Sequence, residues 1–396
     1  MLSLDKVFNA QTVLKNIVRE TKLVRAYGIA PDCELYLKPE NLQITGSFKV
    51  RGSAYKIAML TDEEKKKGVI ACSAGNHAQG VALAATKNGI RSLICLPDSA
   101  PISKVEATKG YGADVCLVEG CYDDAYQQAL ELRDSEGYTF VHPFDDENVI
   151  AGQGTIALEI LNDLDNIDAI VVPIGGGGLI SGIAYTVKQI RPSIKVYGVQ
   201  VAGAPSMYNS VKDGEIECLS SVSTIADGIA VKRPGENTYA LVREHVDEIA
   251  LVTDDEVSSA ILALIEKQKM IAEGAGATAV AAVMFDKFNL KGKRVVAVVS
   301  GGNIDVTSLS RVIDRGLLKS GRSTSLLIEL IDKPGQLKEI SRIIADCGGN
   351  VTGVHYEKGD TESVNGCFLR IEMETRDFEH ANLITKTLRD EGFKLV

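Results

Sequence analysis

The sequence predicts an α/β protein with parallel sheets and helices on both faces. It is arranged as two lobes and followed by a small βαββαβ unit. Three observations predict this. Apolar strand-like runs alternate with amphipathic helical runs over most of the chain. Glycine-rich turns stand where several of those strands should end, the place where α/β sheets bind ligands. Beyond residue 323 the rhythm changes to two successive strands flanked by helices.

The elements follow in order. Residues 69–73 read as a short apolar strand and 77–87 as a helix. Strands are expected at 92–96 and 114–118, with helices at 102–109 and 121–133 between and after them. The pattern resumes with a helix at 153–161 and the run AIVVPI (169–174), apolar enough to be buried on both faces. Another helix starts at Leu179, and 196–201 and 295–299 are further buried strands. A cleft is expected between the two lobes. The last segment gives strands at 325–331, 350–357, 368–373 and 393–396 and helices at 334–345 and 378–389. Pro334 falls in the first turn of its helix and Gly348-Gly349 ends it. The expected division is 1–318 (small lobe about 48–150, large lobe the remainder), a linker at 319–323, and 324–396.

Composition narrows the function. The chain has 396 residues, 45% of them hydrophobic and 24% charged, which suits two or three compact units. A net charge of −10 without a basic patch argues against nucleic acid as a partner. Lys65, Lys66 and Lys67 follow Asp62, Glu63 and Glu64, the pattern of a solvated helix face. None of the 8 cysteines forms a C-x-x-C pair, so zinc and redox motifs lack support, and Cys72, Cys95 and Cys116 read as buried thiols in a reducing compartment. No run approaches the roughly 18 apolar residues of a membrane span, and the N-terminus lacks a signal-like apolar core. A cytoplasmic protein is expected.

Four constellations carry chemistry. In Gly46-Ser47-Phe48-Lys49 a lysine opens a helix beside an aromatic ring. Desolvation there would free its amine to act as a nucleophile, although the segment alone also fits a surface lysine. Ser73-Ala74-Gly75-Asn76-His77 lies between a strand and a helix, where Ser73 and Asn76 could hold an anion or a phenolic oxygen, or merely cap the helix. His77 by itself reads as a structural partner. Gly175, Gly176, Gly177 and Gly178 precede Leu179; four bare amides at a helix start suit a phosphate, and the spacing is not that of a dinucleotide fingerprint. Ser300 in Ser300-Gly301-Gly302-Asn303 ends a buried strand, where its hydroxyl could meet a ring nitrogen.

Taken together and in this order, GSFKVRG (46–52), SAGNHAQGVA (73–82), GGGGLISG (175–182), TIADGIAV (224–231), AEGAGA (272–277) and SGGN (300–303) resemble the fold-type II pyridoxal-phosphate enzymes. The likeness covers roughly residues 5 to 315 and is greatest to the threonine dehydratases (threonine ammonia-lyases), with serine racemase a near relative. It implies pyridoxal 5'-phosphate on Lys49 as a Schiff base, Phe48 at the ring, and Asn76 on the ring hydroxyl. It also implies the phosphate on Gly175 to Gly178 and Leu179, and Ser300 on the ring nitrogen. Ser73, Ala74, Gly75, Asn76 and His77 would gather the substrate carboxylate, with Gly228 and Glu273 lining the site. The implied reaction is removal of the Cα proton by Lys49 and loss of the β-hydroxyl, the cofactor phosphate serving as acid, to give a 2-oxo acid and ammonia.

Two departures from the racemases stand out. Ala74 replaces the serine that serves them as opposite-face acid. The segment after 196–201 offers no carboxylate for their divalent metal, so no comparable Mg²⁺ or Ca²⁺ site is expected, and a monovalent cation stays open. The terminal unit resembles an ACT domain, which implies an oligomer and an amino-acid or nucleotide effector held by Asp332, Pro334, Gly335, Asn350 and Val351, the last two facing the 332–335 turn. A racemase or hydroxyaspartate dehydratase of the same fold, a thiol-joining synthase, and a non-enzymatic amino-acid sensor are the alternatives. Both isoleucine biosynthesis and threonine catabolism fit the sequence.

Overall fold

The structure is a computed structural model that describes residues 2–357 and 366–396. The chain divides into two compact units, Met1–Val306 and Thr307–Val396.

Among the described residues the first unit holds ten strands: β1 (Val24–Arg25), β2 (Glu34–Pro39), β3 (Val69–Cys72), β4 (Ser92–Pro97), β5 (Asp114–Val118), β6 (Thr139–Phe140), β7 (Ala169–Pro173), β8 (Lys195–Val201), β9 (Glu248–Val252) and β10 (Arg294–Val299). The large lobe's sheet has the order β1-β2-β10-β7-β8-β9, parallel except for β1. The small lobe's sheet is wholly parallel, in the order β5-β4-β3-β6. All five residues of β7 are buried, as are the last five of β10, because helices cover both faces of these central strands.

Where sequence and structure differ, the reasons are local. The helix expected at 153–161 runs over Glu147–Asp163, because the Asp146 carboxylate caps it six residues earlier by accepting from the N–H groups of Asn148 and Val149. The helix Leu4–Leu14 buries Val7, Ala10 and Leu14 in the small-lobe core, although that lobe was expected to begin near residue 48. β2 escaped notice because Lys38 sits on it, fully buried.

That lysine belongs to a buried charge cluster. The Arg51 guanidinium donates to both oxygens of Glu40 at 2.8 Å and to both oxygens of Glu159 at 2.6 and 2.9 Å. Lys38 reaches Glu159 at 2.5 Å and the Thr21 carbonyl. Two cations meet two carboxylates, so the net charge is zero. The cluster ties the helix Lys49–Ala58 to the end of β2 and to the helix Glu147–Asp163.

The second unit contains β11 (Ser323–Ile331), β12 (Asn350–Glu357), β13 (Gly366–Glu374) and β14 (Lys394–Leu395), with helices Gln336–Asp346 and Phe378–Asp390. The sheet is antiparallel, in the order β12-β13-β11-β14, the expected ferredoxin-like arrangement. Ile328, Ile340, Ile344, Ile371, Ile384 and Leu388 form its core. The helix Val306–Lys319 groups with this unit rather than the first. The linker expected at 319–323 is shorter, because Lys319 ends the helix and Ser323 begins β11, and residues 320–322 are a tight turn: Gly321 takes φ +69°, Arg322 N–H donates to Leu317 O, and Thr375 N–H donates to Arg322 O.

Two expectations for this unit need correction. Pro334 precedes the helix, which starts at Gln336 with Gly335 as N-cap at φ +96°. Asn350 and Val351 do not face the 332–335 turn within one chain. Asn350 pairs with Glu374, which pairs with Ser323 at the start of β11, whereas Asp332 follows the other end of that strand. Asn350 instead donates to Glu374 at 2.8 Å, and Asp332 accepts from the Tyr356 hydroxyl at 2.8 Å.

Candidate active site

Lys49 is the first residue of its helix, and the preceding segment is stitched to the loop after β10. Phe48 N–H donates to Ser300 O at 3.1 Å and Gly302 N–H to Gly46 O at 2.9 Å. Ser47 and Gly301 form a β-bridge between the two segments. The Lys49 side chain is only partly covered, but its amine lies deep. Burial lowers its pKa to about 8, against the opposing charge of Glu273. Nζ donates to Pro143 O at 2.8 Å and sits 5.3 Å from the centre of the Phe48 ring. A neutral, nucleophilic amine is therefore accessible near neutral pH.

The turn after β3 meets the loop after β10 through Asn76 and Asn303. Ser73, Ala74, Gly75 and Asn76 are all partly exposed, and Ser73 Oγ accepts from Gly75 N–H at 3.1 Å. Asn76 opens the helix Asn76–Lys87, whose first turn has no side-chain cap. Its Nδ2 donates to Glu273 Oε1 at 2.7 Å, and its Oδ1 accepts from Asn303 Nδ2 at 2.7 Å. Glu273 is 5% exposed; burial, with the nearby charge of Asp227, raises its pKa to about 7. Gly228 closes this corner: a Cβ there would stand 3.6 Å from Glu273 Oε1 and 3.9 Å from Asn76 Nδ2.

His77 departs from the expected substrate contact. Its imidazole turns into the core, with Nε2 2.7 Å from Val141 O and Nδ1 3.4 Å from Ser53 Oγ. Burial, with Lys49 nearby, lowers its pKa to about 3. Only the main chain of His77 is placed to meet a substrate.

The glycine loop joins the site through residues that the sequence reading passed over. Lys49 meets Pro143, and the next residue, Phe144, packs on the loop. A Cβ at Gly176 would lie 2.4 Å from the Phe144 ring, and one at Gly178 2.9 Å from Phe144 Cα. Gly177, at φ +98°, is the N-cap of the helix Gly178–Ile190. Asp145 accepts from the N–H groups of Glu236 and Thr238 at 3.1 Å each, and Thr238 Oγ1 donates to Gly176 O at 2.6 Å. The only signal in the sequence was the stretch His142-Pro143-Phe144-Asp145 just past a strand.

These features fit a phosphorylated aromatic cofactor. Among the described residues, no protein acceptor meets the main-chain N–H groups of Gly176, Gly177, Gly178 and Leu179, which are buried at a helix N-terminus where a phosphate is stabilised. Ser300 is 3% exposed, and its hydroxyl makes no hydrogen bond among the described residues. With Asn76 and the Lys49 amine, it supplies a donor set for a phosphate, a ring nitrogen, a ring hydroxyl and an aldehyde. The site thus brings together Lys49, Asn76, the glycine loop, Ser300, Gly228 and Glu273.

Known proteins carry the same architecture. Over all of its length the chain is 47% identical to the L-threonine ammonia-lyase of Thermotoga maritima, covering 99% of that protein. The processed form of threonine deaminase isoform 2 from Solanum lycopersicum matches 80% of this chain and 90% of its own, with a TM-score of 0.76 and 38% identity. Maize serine racemase matches 80% of this chain and 98% of its own, with a TM-score of 0.74 and 35% identity. The family model described as "Pyridoxal-phosphate dependent enzyme" matches residues 14–301, and the chain belongs to that family.

Proposed function

We propose that the protein is a threonine ammonia-lyase. It converts L-threonine to 2-oxobutanoate and ammonia and, by the same steps, L-serine to pyruvate. The observation that carries this reading is the desolvated Lys49 amine, placed between the Asn76 turn and the glycine loop. When bound, pyridoxal phosphate supplies an electron sink that acidifies the substrate's Cα–H. Main-chain N–H groups of the 73–77 turn hold the substrate carboxylate. The Lys49 amine takes the Cα proton, and the β-hydroxyl leaves with a proton as water; hydrolysis of the released enamine consumes one water and frees ammonia, so no net water is formed or used. Ser300, a neutral partner for the ring nitrogen, favours expulsion of the β-group over a long-lived carbanion. Ala74 carries no proton donor on the opposite face, which supports elimination over racemisation.

In this reading the second unit is an ACT domain that regulates the first in a cytoplasmic homo-oligomer. Its strand order and Gly335, free of neighbours within 4 Å of a built Cβ, support an effector site at Asp332, Pro334 and Gly335. Any contact from Asn350 or Val351 to that site must then come from a second copy of the chain. The test is a 2-oxo-acid assay on L-threonine and L-serine, with and without isoleucine, valine and AMP, beside a chiral assay for D-serine. The expected result is 2-oxobutanoate formation from threonine that changes with one of these effectors. Racemisation faster than elimination would overturn the proposed reaction, and indifference to all three would count against regulation by amino acids or AMP.

A further inference from the structure

Asn303 touches three of the site's constellations at once. Its Nδ2 lies 2.7 Å from Thr45 O, in the segment leading to Lys49. The same nitrogen lies 2.7 Å from Asn76 Oδ1 and 3.4 Å from Gln79 Oε1, both on the helix after the 73–75 turn. Asn303 itself ends the Ser300-Gly301-Gly302 loop. Gly46, at φ +71°, leaves it room: a Cβ there would stand 2.3 Å from Asn303 Oδ1.

This arrangement fixes which way two amides point. A main-chain carbonyl can only accept, so Asn303 must turn its NH₂ towards Thr45 O. The second hydrogen of that NH₂ then faces Asn76, which must answer with its oxygen. The Asn76 NH₂ is thereby left on the far side, towards Glu273. An ionised Glu273 accepts from the same NH₂ and reinforces this orientation, but a protonated Glu273 could donate to a flipped amide oxygen, so Asn303 is the partner that holds Asn76 in both states of Glu273.

We propose that Asn303 is a positioning residue that holds Asn76 with its N–H donor towards the cofactor's ring hydroxyl, and so favours the ionised form of that hydroxyl. The inference rests on the reading that Asn76 faces this group. Glu273, Asp227, Lys104 and Lys49 are the charged groups around the same corner, and all are retained in the variants below.

The test follows the visible absorption of the purified holoenzyme against pH, with cofactor affinity measured by titration of the apoprotein. Asn303→Asp cannot donate as the amide does, and Asn303→Ala removes the group. Both should raise the spectroscopic midpoint by about one pH unit, the equivalent of one charge-assisted hydrogen bond, and weaken cofactor binding about 3- to 10-fold. Asn76→Ala should produce the same shift, and adding Asn303→Ala to it should add nothing. A midpoint that stays at the parent value in folded Asn303→Asp and Asn303→Ala, while Asn76→Ala moves it, overturns the positioning role and leaves the Asn76 assignment standing. Additive shifts in the double variant also overturn it. An unchanged spectrum in Asn76→Ala removes both readings.

Discussion

Phe144 fills the space that a side chain on Gly176 would need, with a built Cβ 2.4 Å from its ring. The glycine loop is thus kept bare by packing from one side and leaves its N–H groups to the other. Gly176→Ala must displace the ring or the loop. Overpacking of this kind costs about 1–3 kcal/mol, and here the displaced loop is the proposed phosphate cradle. Cofactor affinity should fall at least about tenfold, with a lower melting temperature, by apoprotein titration and thermal unfolding. Unchanged affinity would show that the loop does not hold the phosphate.

The Arg51 cluster predicts a stability effect distinct from catalysis. Arg51 and Glu40 have no exposed side-chain surface, and Glu159 has 11%. Glu159→Gln strips one charge from between Arg51 and Lys38 and leaves a buried positive excess. Breaking such a pair costs about 3–5 kcal/mol. Urea unfolding at neutral pH should show a loss of this order, and a change below about 1 kcal/mol would mean that water reaches the cluster.

His77 gives a pH dependence. Its pKa falls from an ordinary 6.5 to about 3 in the fold, so between these values the unfolded chain binds a proton that the folded one refuses. Stability should fall as pH drops below 6.5, by about 1.4 kcal/mol per unit for this proton. Half-buried His142, lowered to about 4 by desolvation, acts in the same direction. Glu273, raised from 4.5 to about 7, acts in the opposite one. Comparing the parent with His77→Gln cancels both. The variant's stability should lose about one proton's worth of slope between pH 6 and pH 4.5 in urea melts, and equal slopes would show that His77 is not buried neutral.

Much of this was legible in the sequence where burial is uniform or a turn has one purpose. β7 and the last five residues of β10 are apolar, and the helix Asn76–Lys87 starts one residue before its expected position. The helix Gly274–Met284 was not, because nearly every position is buried and no 3.6-residue period survives. β2 carries a buried lysine whose partner, Glu159, is 121 residues away. Lys49, Asn76, the glycine loop and Ser300 were recognisable as a set. Pro143, Phe144 and the tie from Asn303 to Asn76, spanning 227 residues, became visible only when the chain was folded.

The central claim is that Lys49 carries the cofactor and removes the substrate's Cα proton. Its most direct test is the absorption spectrum of Lys49→Ala purified with excess pyridoxal phosphate, beside its 2-oxobutanoate production from L-threonine. The account predicts a folded protein without the parent's visible band and with activity reduced by at least about four orders of magnitude, as expected when a covalent attachment and a general base are lost together. A folded Lys49→Ala that kept the parent spectrum and turnover would contradict it.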